Sequence, residues 1–220
     1  GAPERKRPDW VEDLDFEGEV YQQISIPGVM LPNDEGAPNL PGFGRFIAIP
    51  EGATARLEVI SYKTETFDNI DVIPAPDIPL ESDDSPPVYV KDQSIYSADE
   101  YYPAEPFKLS DVVNMRGVDA VVLGITPFQY NPVSRKLVVY RNLDVRVSFE
   151  GGTGQFGEDR LRNRYWEPIL KSNLINYESL PEVEFRTPNT RDDEYEYVII
   201  VPDDATYIAW ADTIAQFRLD

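Results

Sequence analysis

The sequence predicts a mainly β protein: an antiparallel β-sandwich followed by the first strand and helix of an α/β domain. Many short apolar runs are separated by turns rich in proline and glycine, as in two-sheet antiparallel domains. Residues 145–149 alternate apolar and polar side chains, which indicates a strand with one buried face. Near the C-terminal end, a continuous apolar run precedes a helical pattern, which is typical of strands in parallel sheets.

The apolar runs define the predicted strands in chain order. They cover 21–26, 45–49, 56–60, 118–125, 137–140 and 145–149. The second and third runs flank a turn that contains Gly52, so we predict that they pair as a β-hairpin. Residues 127–132 contain two prolines, which predict a corner between strands. Residues 161–176 are compatible with a short helix.

The changes in composition divide the chain into four parts. These are an N-terminal extension at 1–19, a β-sandwich at 20–186, a linker at 187–194 and a first βα unit at 195–220. In the last part, the pair Asp203–Asp204 places an Asp to cap a helix whose apolar residues, from Tyr207 to Phe217, recur at helical spacing. A lone βα unit cannot form a domain, because a parallel strand needs a partner. We therefore expect the chain to be a fragment of a longer protein.

Charge and missing residue types exclude several functions. The chain has 40 Asp and Glu against 20 Lys and Arg, a formal charge of −20. Such a chain repels phosphate backbones, which excludes nucleic acid as a partner. It contains no Cys and no His, which excludes Cys–His and Ser–His catalysis and thiolate metal sites within it. No apolar run reaches the ~18 residues of a membrane span. We expect this chain alone to be non-catalytic and to need no cofactor.

Several stretches resemble one protease family. The longest is Pro127 to Tyr140, with the sequence P-F-Q-Y-N-P-V-S-R-K-L-V-V-Y. Shorter matching stretches lie at 36–41 (G-A-P-N-L-P), 46–53, 101–104 and 115–117. Through these motifs the chain resembles the N-terminal prodomain of the gingipain-type cysteine proteases, family C25. Residues 195–220 resemble the first strand and helix of that family's caspase-like catalytic domain.

The resemblance implies an inhibitory and fold-assisting prodomain of a cysteine endopeptidase zymogen. Such a β-sandwich covers the active site of its partner, the catalytic domain of the same precursor, whose Cys and His lie further along the chain. The implied location is extracellular or at the cell surface, after export. The alternative is a β-sandwich adhesion or carbohydrate-binding module of an exported protein. A His and a Cys in the next ~250 residues of the gene would favour the prodomain, at the domain sizes usual for proteins.

A loop is predicted at 77–87, because three prolines and four acids in this window exclude a central strand or helix. The resemblance implies that a loop here enters the substrate cleft and fills its specificity pocket with a basic residue. This window has no Lys or Arg. The candidate inhibitory residues are Leu80, Glu81, Ser82, Asp83 and Asp84. An acid in the pocket would indicate acid-directed cleavage; alternatively, the loop only shields the cleft, or is an ordinary solvated loop.

Three candidate cleavage positions lie towards the C-terminal end. Arg186 and Arg191 flank the exposed linker, where proteolytic nicking concentrates, and resemble the position at which family prodomains are released. The third candidate is Asp220, after which the zymogen could be cut at an acid. The alternatives are that both arginines are ordinary surface residues and that Asp220 has no such role.

Other polar and aromatic groups carry weaker predictions. Acidic pairs such as Asp83–Asp84 offer oxygen ligands to Ca²⁺, but none has the spacing of a calcium-binding loop. The basic run Arg160, Arg162 and Arg164 predicts a solvated face, with docking to an acidic patch as the alternative. The aromatic cluster at 96–107 predicts core and edge packing rather than a sugar platform.

Overall fold

Nine strands are formed by the residues that the computed structural model describes, which are 8–16, 18–29, 34–77, 86–157, 162–183, 185 and 198–219. They are β1 (Val11–Phe16), β2 (Glu19–Ile24), β3 (Phe43–Ala48), β4 (Ala53–Phe67), β5 (Phe107–Leu109), β6 (Val113–Met115), β7 (Val118–Ile125), β8 (Phe128–Asn131) and β9 (Lys136–Gly151). The helices are α1 (Gln93–Tyr96), α2 (Glu167–Asn173) and α3 (Ala205–Leu219), with a 3₁₀ turn at Tyr177–Ser179. The chain divides into two units after Val183.

Two antiparallel sheets face each other in the first unit. One has the order β3-β7-β5, with β6 also paired to β7, and the other has the order β4-β9-β8. Between them, Ile47 and Leu123 of the first sheet pack in one apolar layer with Leu57 and Val147 of the second. The strands β1 and β2 form a separate antiparallel pair. The predicted mainly β, antiparallel fold class is confirmed.

The segment that follows the sheets packs on the opposite face of the β3–β7 pair. Its buried leucines, Leu170, Leu174 and Leu180, join one core cluster with Ala48, Val118 and Ala120. The side chain of Asn176 pairs with the backbone of β3, because its Oδ1 accepts from Ala48 N at 2.8 Å and its Nδ2 donates to Ala48 O at 2.9 Å. The predicted short helix within 161–176 is confirmed as α2, and it covers this face of the sheet.

The longest family-like motif has a structural role at the other end of the unit. Tyr130 is buried, and its hydroxyl donates to Ile70 O at 3.1 Å. Gln129 donates to Pro103 O at 2.8 Å, and Asn131 donates to Asp99 Oδ1 at 2.9 Å. Three consecutive residues of β8 therefore bind two other chain segments, one at Ile70 and one at 99–103.

Two predictions about strand pairing are wrong. Residues 45–49 and 56–60 do not form a hairpin, because β3 pairs with β7 and β4 pairs with β9. The turn at Gly52 instead carries the chain from one sheet to the other. Residues 127–132 are not a corner, since β8 within them pairs with the first residues of β9. Proline at the ends of this run leaves the backbone N–H groups of the strand between them free to pair.

Strand positions also differ from the predictions at both ends of the first unit. β1 precedes the predicted first strand and lies in the part assigned to an N-terminal extension. Its sequence, V-E-D-L-D-F, does not form an apolar run that would predict a strand, because acids occupy the solvent-facing positions. The two strands predicted at 137–140 and 145–149 are one continuous strand, β9, whose pairing with β4 shifts register near Ser61.

The second unit contains α3 but no strand among its described residues. Residues 198–201 of the predicted strand ahead of the helix pair with no other described segment, and Ile200 is 92% exposed, so the strand of the predicted βα unit remains a prediction. A strand requires a neighbour to satisfy its backbone groups. The predicted cap is confirmed, because Asp204 Oδ1 accepts from Thr206 N at 2.9 Å at the start of α3.

Candidate functional site

The side chains predicted to act directly lie outside the described residues. This holds for the candidate inhibitory residues Leu80, Glu81, Ser82, Asp83 and Asp84, and for the candidate cleavage positions Arg186, Arg191 and Asp220. Their roles remain predictions. The structure does describe the chain on both sides of the candidate inhibitory residues. We call residues 70–77 the outgoing limb and residues 86–92 the returning limb.

The outgoing limb is a buried, extended segment fixed on two sides. On one side, Gln22 N donates to Asp71 O at 2.7 Å and Ile73 N donates to Gln22 O at 3.1 Å. On the other side, Asn39 N donates to Ile73 O at 2.9 Å and Ala75 N donates to Ala37 O at 2.7 Å. The limb thus runs between β2 and the family-like motif at 36–41, although it belongs to no named strand.

Two tyrosine hydroxyls hold the outgoing limb from within the core. Tyr96 donates to Val72 O at 2.8 Å, and Tyr130 donates to Ile70 O at 3.1 Å. Burial raises the pKa of Tyr96 far above its ordinary value, with further contributions from Tyr130 and Asp71. Burial, and then the charge of Asp71, raises the pKa of Tyr130 to about 12. Both phenols therefore stay protonated near neutral pH and act as hydrogen-bond donors.

The returning limb alternates between inward and outward side chains. Tyr89 packs edge-on against Phe16, with ring centroids 5.0 Å apart. The Nζ of Lys91 lies 4.6 Å from the ring centroid of Tyr21 and 3.7 Å from a carboxylate oxygen of Asp71. The valines on either side of Tyr89, at positions 88 and 90, point outward and are 55% and 61% exposed. The inward residues anchor the limb and leave an apolar outer side.

The two limbs are joined through four residues, Gly36, Asp77, Val88 and Asp92, which we call the limb clamp. Asp77 N donates to Val88 O at 3.2 Å, and Val88 N donates to Asp77 Oδ1 at 3.0 Å. Gly36 binds both limbs, because its N–H donates to Ala75 O at 3.0 Å and its carbonyl accepts from Asp92 N at 2.9 Å. The ends of the 78–87 segment are therefore held side by side.

Position 36 requires glycine for two reasons. Its φ is +77°, which L side chains rarely adopt. In addition, a Cβ at this position would lie 2.8 Å from Val90 O and 3.1 Å from Asp92 N. Gly36 opens the family-like motif at 36–41, so this part of the motif places the returning limb close to the core.

The basic run at 160–164 contains a buried ion pair that the sequence analysis missed. The prediction of a solvated face is wrong for Arg162, which is 6% exposed. Its Nε and Nη2 donate to the two carboxylate oxygens of Glu167 at 2.8 and 2.7 Å, and its Nη1 donates to Pro181 O. Tyr177 also donates to Glu167. We call Arg162, Glu167 and Tyr177 the buried cluster.

Hydrogen bonds set the protonation of the buried cluster. Those from Arg162 hold the pKa of Glu167 below its ordinary value, against the opposing effect of burial. The hydrogen bond to Glu167 raises the pKa of Tyr177, and the same partner raises the pKa of Arg162. At neutral pH the cluster is thus an Arg⁺–Glu⁻ pair with a neutral phenol. It fixes the segment that carries α2, and its spacing in sequence matches no standard motif that could have revealed it.

The predicted aromatic packing is confirmed for three members of the 96–107 cluster. Tyr96 and Tyr102 pack against the core, and Phe107 meets the ring of Tyr140 edge-on at 5.1 Å. Tyr101 is 39% exposed.

Within the described ranges, no three acidic residues group closely enough to hold a metal ion. The Ca²⁺ prediction stays open, since Asp83 and Asp84 lie outside these ranges. None of the described helices is both long enough and apolar enough to cross a membrane.

Fold and limbs together define a class: a two-sheet antiparallel β domain with two limbs that are clamped to each other. The family model described as Propeptide_C25 matches residues 9–183, and the chain belongs to this family.

The relatives and solved structures agree with this assignment. Gingipain R2 of Porphyromonas gingivalis (strain ATCC BAA-308 / W83) is 33% identical over 177 residues, which cover 77% of this chain and 23% of the relative. Lys-gingipain of the same species (strain ATCC 33277) is 27% identical over 165 residues, which cover 72% of this chain and 10% of the relative. This chain thus spans a quarter or less of the length of these relatives.

Two solved structures share the fold. A complex of the Porphyromonas gingivalis RgpB pro- and mature domains matches with a TM-score of 0.66 at 28% identity, covering 76% of this chain and 86% of the other. A structure of Porphyromonas gingivalis gingipain K, described as giving insight into zymogenic latency, matches with a TM-score of 0.54 at 27% identity. The match covers 64% of this chain and 81% of the other.

Proposed function

We propose that this chain is the inhibitory and fold-assisting prodomain of a gingipain-like cysteine endopeptidase zymogen, and that it covers the active site of the catalytic part. The observation that carries the proposal is its likeness, at a TM-score of 0.66, to a structure that pairs a pro-domain with a mature domain. The absence of Cys and His makes the chain itself unable to supply the cysteine chemistry. Its partner is then the catalytic part of the same precursor, an exported protein.

The limbs support a specific inhibitory element. The limbs join at a clamped base on either side of residues 78–85, which include the candidates for the specificity pocket, Leu80, Glu81, Ser82, Asp83 and Asp84. A segment tethered beside a cleft has a high effective concentration, so it needs little intrinsic affinity to block substrate. Release of the prodomain follows cleavage after Arg186 or Arg191, whereas a cut after Asp220 leaves the two pieces together. Mass spectrometry of the products of zymogen activation identifies the position of the cut.

The test mixes the 220-residue chain with the mature protease from the same precursor and measures hydrolysis of labelled casein. We expect the wild-type chain to inhibit, and Glu81→Ala or Asp83→Ala to weaken inhibition if either acid fills the pocket. The matched control is Asp144→Ala, which removes one exposed acid from β9. Unchanged inhibition by both loop variants would remove those acids as candidates, and no inhibition by the wild-type chain would refute the proposal.

A second measurement tests the folding role. The denatured mature protease is refolded with and without the chain, and the recovered activity is measured after the prodomain has been removed. We expect a higher yield with the chain. Repeating the inhibition assay with EDTA tests whether Ca²⁺ contributes, since the proposal itself needs no cofactor in this chain.

A further inference from the structure

We propose that Gly36 and Asp77 are positioning residues for inhibition: they hold the two limbs side by side, and inhibition of the protease depends on this fixed base. This inference rests on the proposed function and adds to it the residues that aim the segment. Neither residue needs to touch the protease. Both act through the limbs that they join.

The first support is the double attachment of Gly36. Its N–H binds the outgoing limb at Ala75 O, and its carbonyl binds the returning limb at Asp92 N. A residue with bonds to both limbs fixes their separation. The lack of a side chain is essential, because a Cβ would meet Val90 O at 2.8 Å and push the returning limb outward.

The second support is the Asp77–Val88 pair at the base of the segment. One bond joins the two backbones, and the other uses the Asp77 carboxylate. Positions 77 and 88 are therefore held next to each other at the base of the segment. Because both ends of the segment are already fixed, it has less conformational freedom to lose when it binds, so the entropic cost of binding is smaller. Loss of the carboxylate bond should weaken inhibition without unfolding the domain, because this bond is exposed.

The glycine test compares two residues with nearly the same backbone geometry. Gly36 and Gly28 have φ values of +77° and +76°, but a Cβ at position 28 would meet no atom within 4 Å. Alanine at either position introduces the same backbone strain, and only Gly36→Ala displaces the returning limb. We expect Gly36→Ala to raise the inhibition constant about tenfold or more relative to Gly28→Ala, which is about 1.4 kcal/mol or more.

The aspartate test keeps the fold intact and includes rescue by a conservative change. Asp77→Ala should raise the inhibition constant about threefold to tenfold, whereas Asp77→Asn, which keeps the Oδ1 acceptor, should inhibit nearly as well as wild type. Asn114→Ala is the control, because it removes a bond of 3.0 Å from Gly117 N to a side-chain oxygen in another turn, together with the bond from Asn114 Nδ2 to Asp119 Oδ1. It should leave inhibition unchanged. Urea unfolding of each variant shows that the compared chains are folded.

A double-mutant cycle identifies the route of the effect. Residues 78–85 are replaced by eight Gly and Ser residues, and Asp77→Ala is introduced into that chain. If Asp77 acts only through the segment, Asp77→Ala has no further effect on inhibition in the chain whose segment has been replaced. An equal effect in both backgrounds, or full inhibition by Asp77→Ala in the natural background, overturns the inference while the proposed function stands. If Gly36→Ala does not fold, the Asp77 variants decide the question. A wild-type chain that does not inhibit overturns both proposals.

Discussion

The same pairing of arginine with a carboxylate occurs in two very different regions. In the buried cluster, the side chains of Arg162 and Glu167 are 3% and 13% exposed. On the β4–β9 ribbon, three such pairs lie at the surface, and their side chains are at least 36% exposed. They are Arg56–Glu150, Arg141–Glu65 and Arg146–Glu58. Burial, and not the identity of the pair, decides what each contributes, because water screens the ribbon pairs and the buried cluster must satisfy its charges internally.

The largest expected effect comes from breaking the buried cluster. Glu167→Ala leaves the Arg162 guanidinium buried without its carboxylate and removes the acceptor of Tyr177. We expect the free energy of unfolding to fall by about 3–5 kcal/mol, as for other buried pairs that lose one partner. Urea unfolding of the purified chain measures it.

The control for this prediction is the exposed acid Glu178, in the 3₁₀ turn beside the cluster. Glu178→Ala should change the free energy of unfolding by no more than about 0.5 kcal/mol. If the two alanine variants lose similar, small amounts of stability, the buried cluster is not what fixes this segment.

Protonation of Glu167 should reduce stability less than Glu167→Ala does, because it leaves the side chain in place and removes only its charge. The pKa of Glu167 is lowered in the folded chain, chiefly by the Arg162 hydrogen bonds. The charge of Glu167 therefore contributes to the free energy of unfolding above the ordinary pKa of 4.5. This contribution is lost as the pH falls through the lower pKa of the folded chain.

The measurement compares wild type with Glu167→Gln in urea, from about pH 7 to about pH 3, over the range in which carboxylates titrate. The stability difference should be constant near neutrality and narrow below pH 4.5. The other acids titrate equally in both chains, so they cancel in the difference. A gap that does not change with pH would show that the charge of Glu167 contributes nothing.

The fold class could be predicted from local patterns, but the strand pairing could not. The alternation in β9 and the apolar run of β7 are properties of neighbouring residues. β7 has the predicted bounds, and β9 contains both of the strands predicted within its range. The partners of β3 and β4 depend on β7 and β9, which lie far along the chain. A turn with glycine between two apolar runs favours a hairpin locally, and only the sandwich core shows that these runs belong to opposite sheets.

For the candidate site, too, the sequence predicts the position of the loop but not the contacts that hold its ends. Prolines and acids mark residues 77–87 as an interruption of regular structure, so the segment could be located from sequence. The limb clamp could not be found, because Gly36 meets Val90 and Asp92 only after the core has formed. The burial of Arg162 likewise depends on Pro181 and Glu167, and a run of three arginines gives no sign of it.

The smallest effect is expected on the ribbon, where Glu58 and Arg146 stand directly opposite each other on β4 and β9. Their side chains are 63% and 66% exposed and lie 3.3 Å apart. A double-mutant cycle with Glu58→Ala and Arg146→Ala should give a coupling energy below about 0.5 kcal/mol in urea unfolding, because solvent screens an exposed pair. High salt should reduce it further, since the Debye length is then only about 3 Å. The matched cycle on Arg162 and Glu167 should give a coupling several times larger and less sensitive to salt. Equal couplings in the two regions would show that geometry, which both pairs satisfy, matters more than burial.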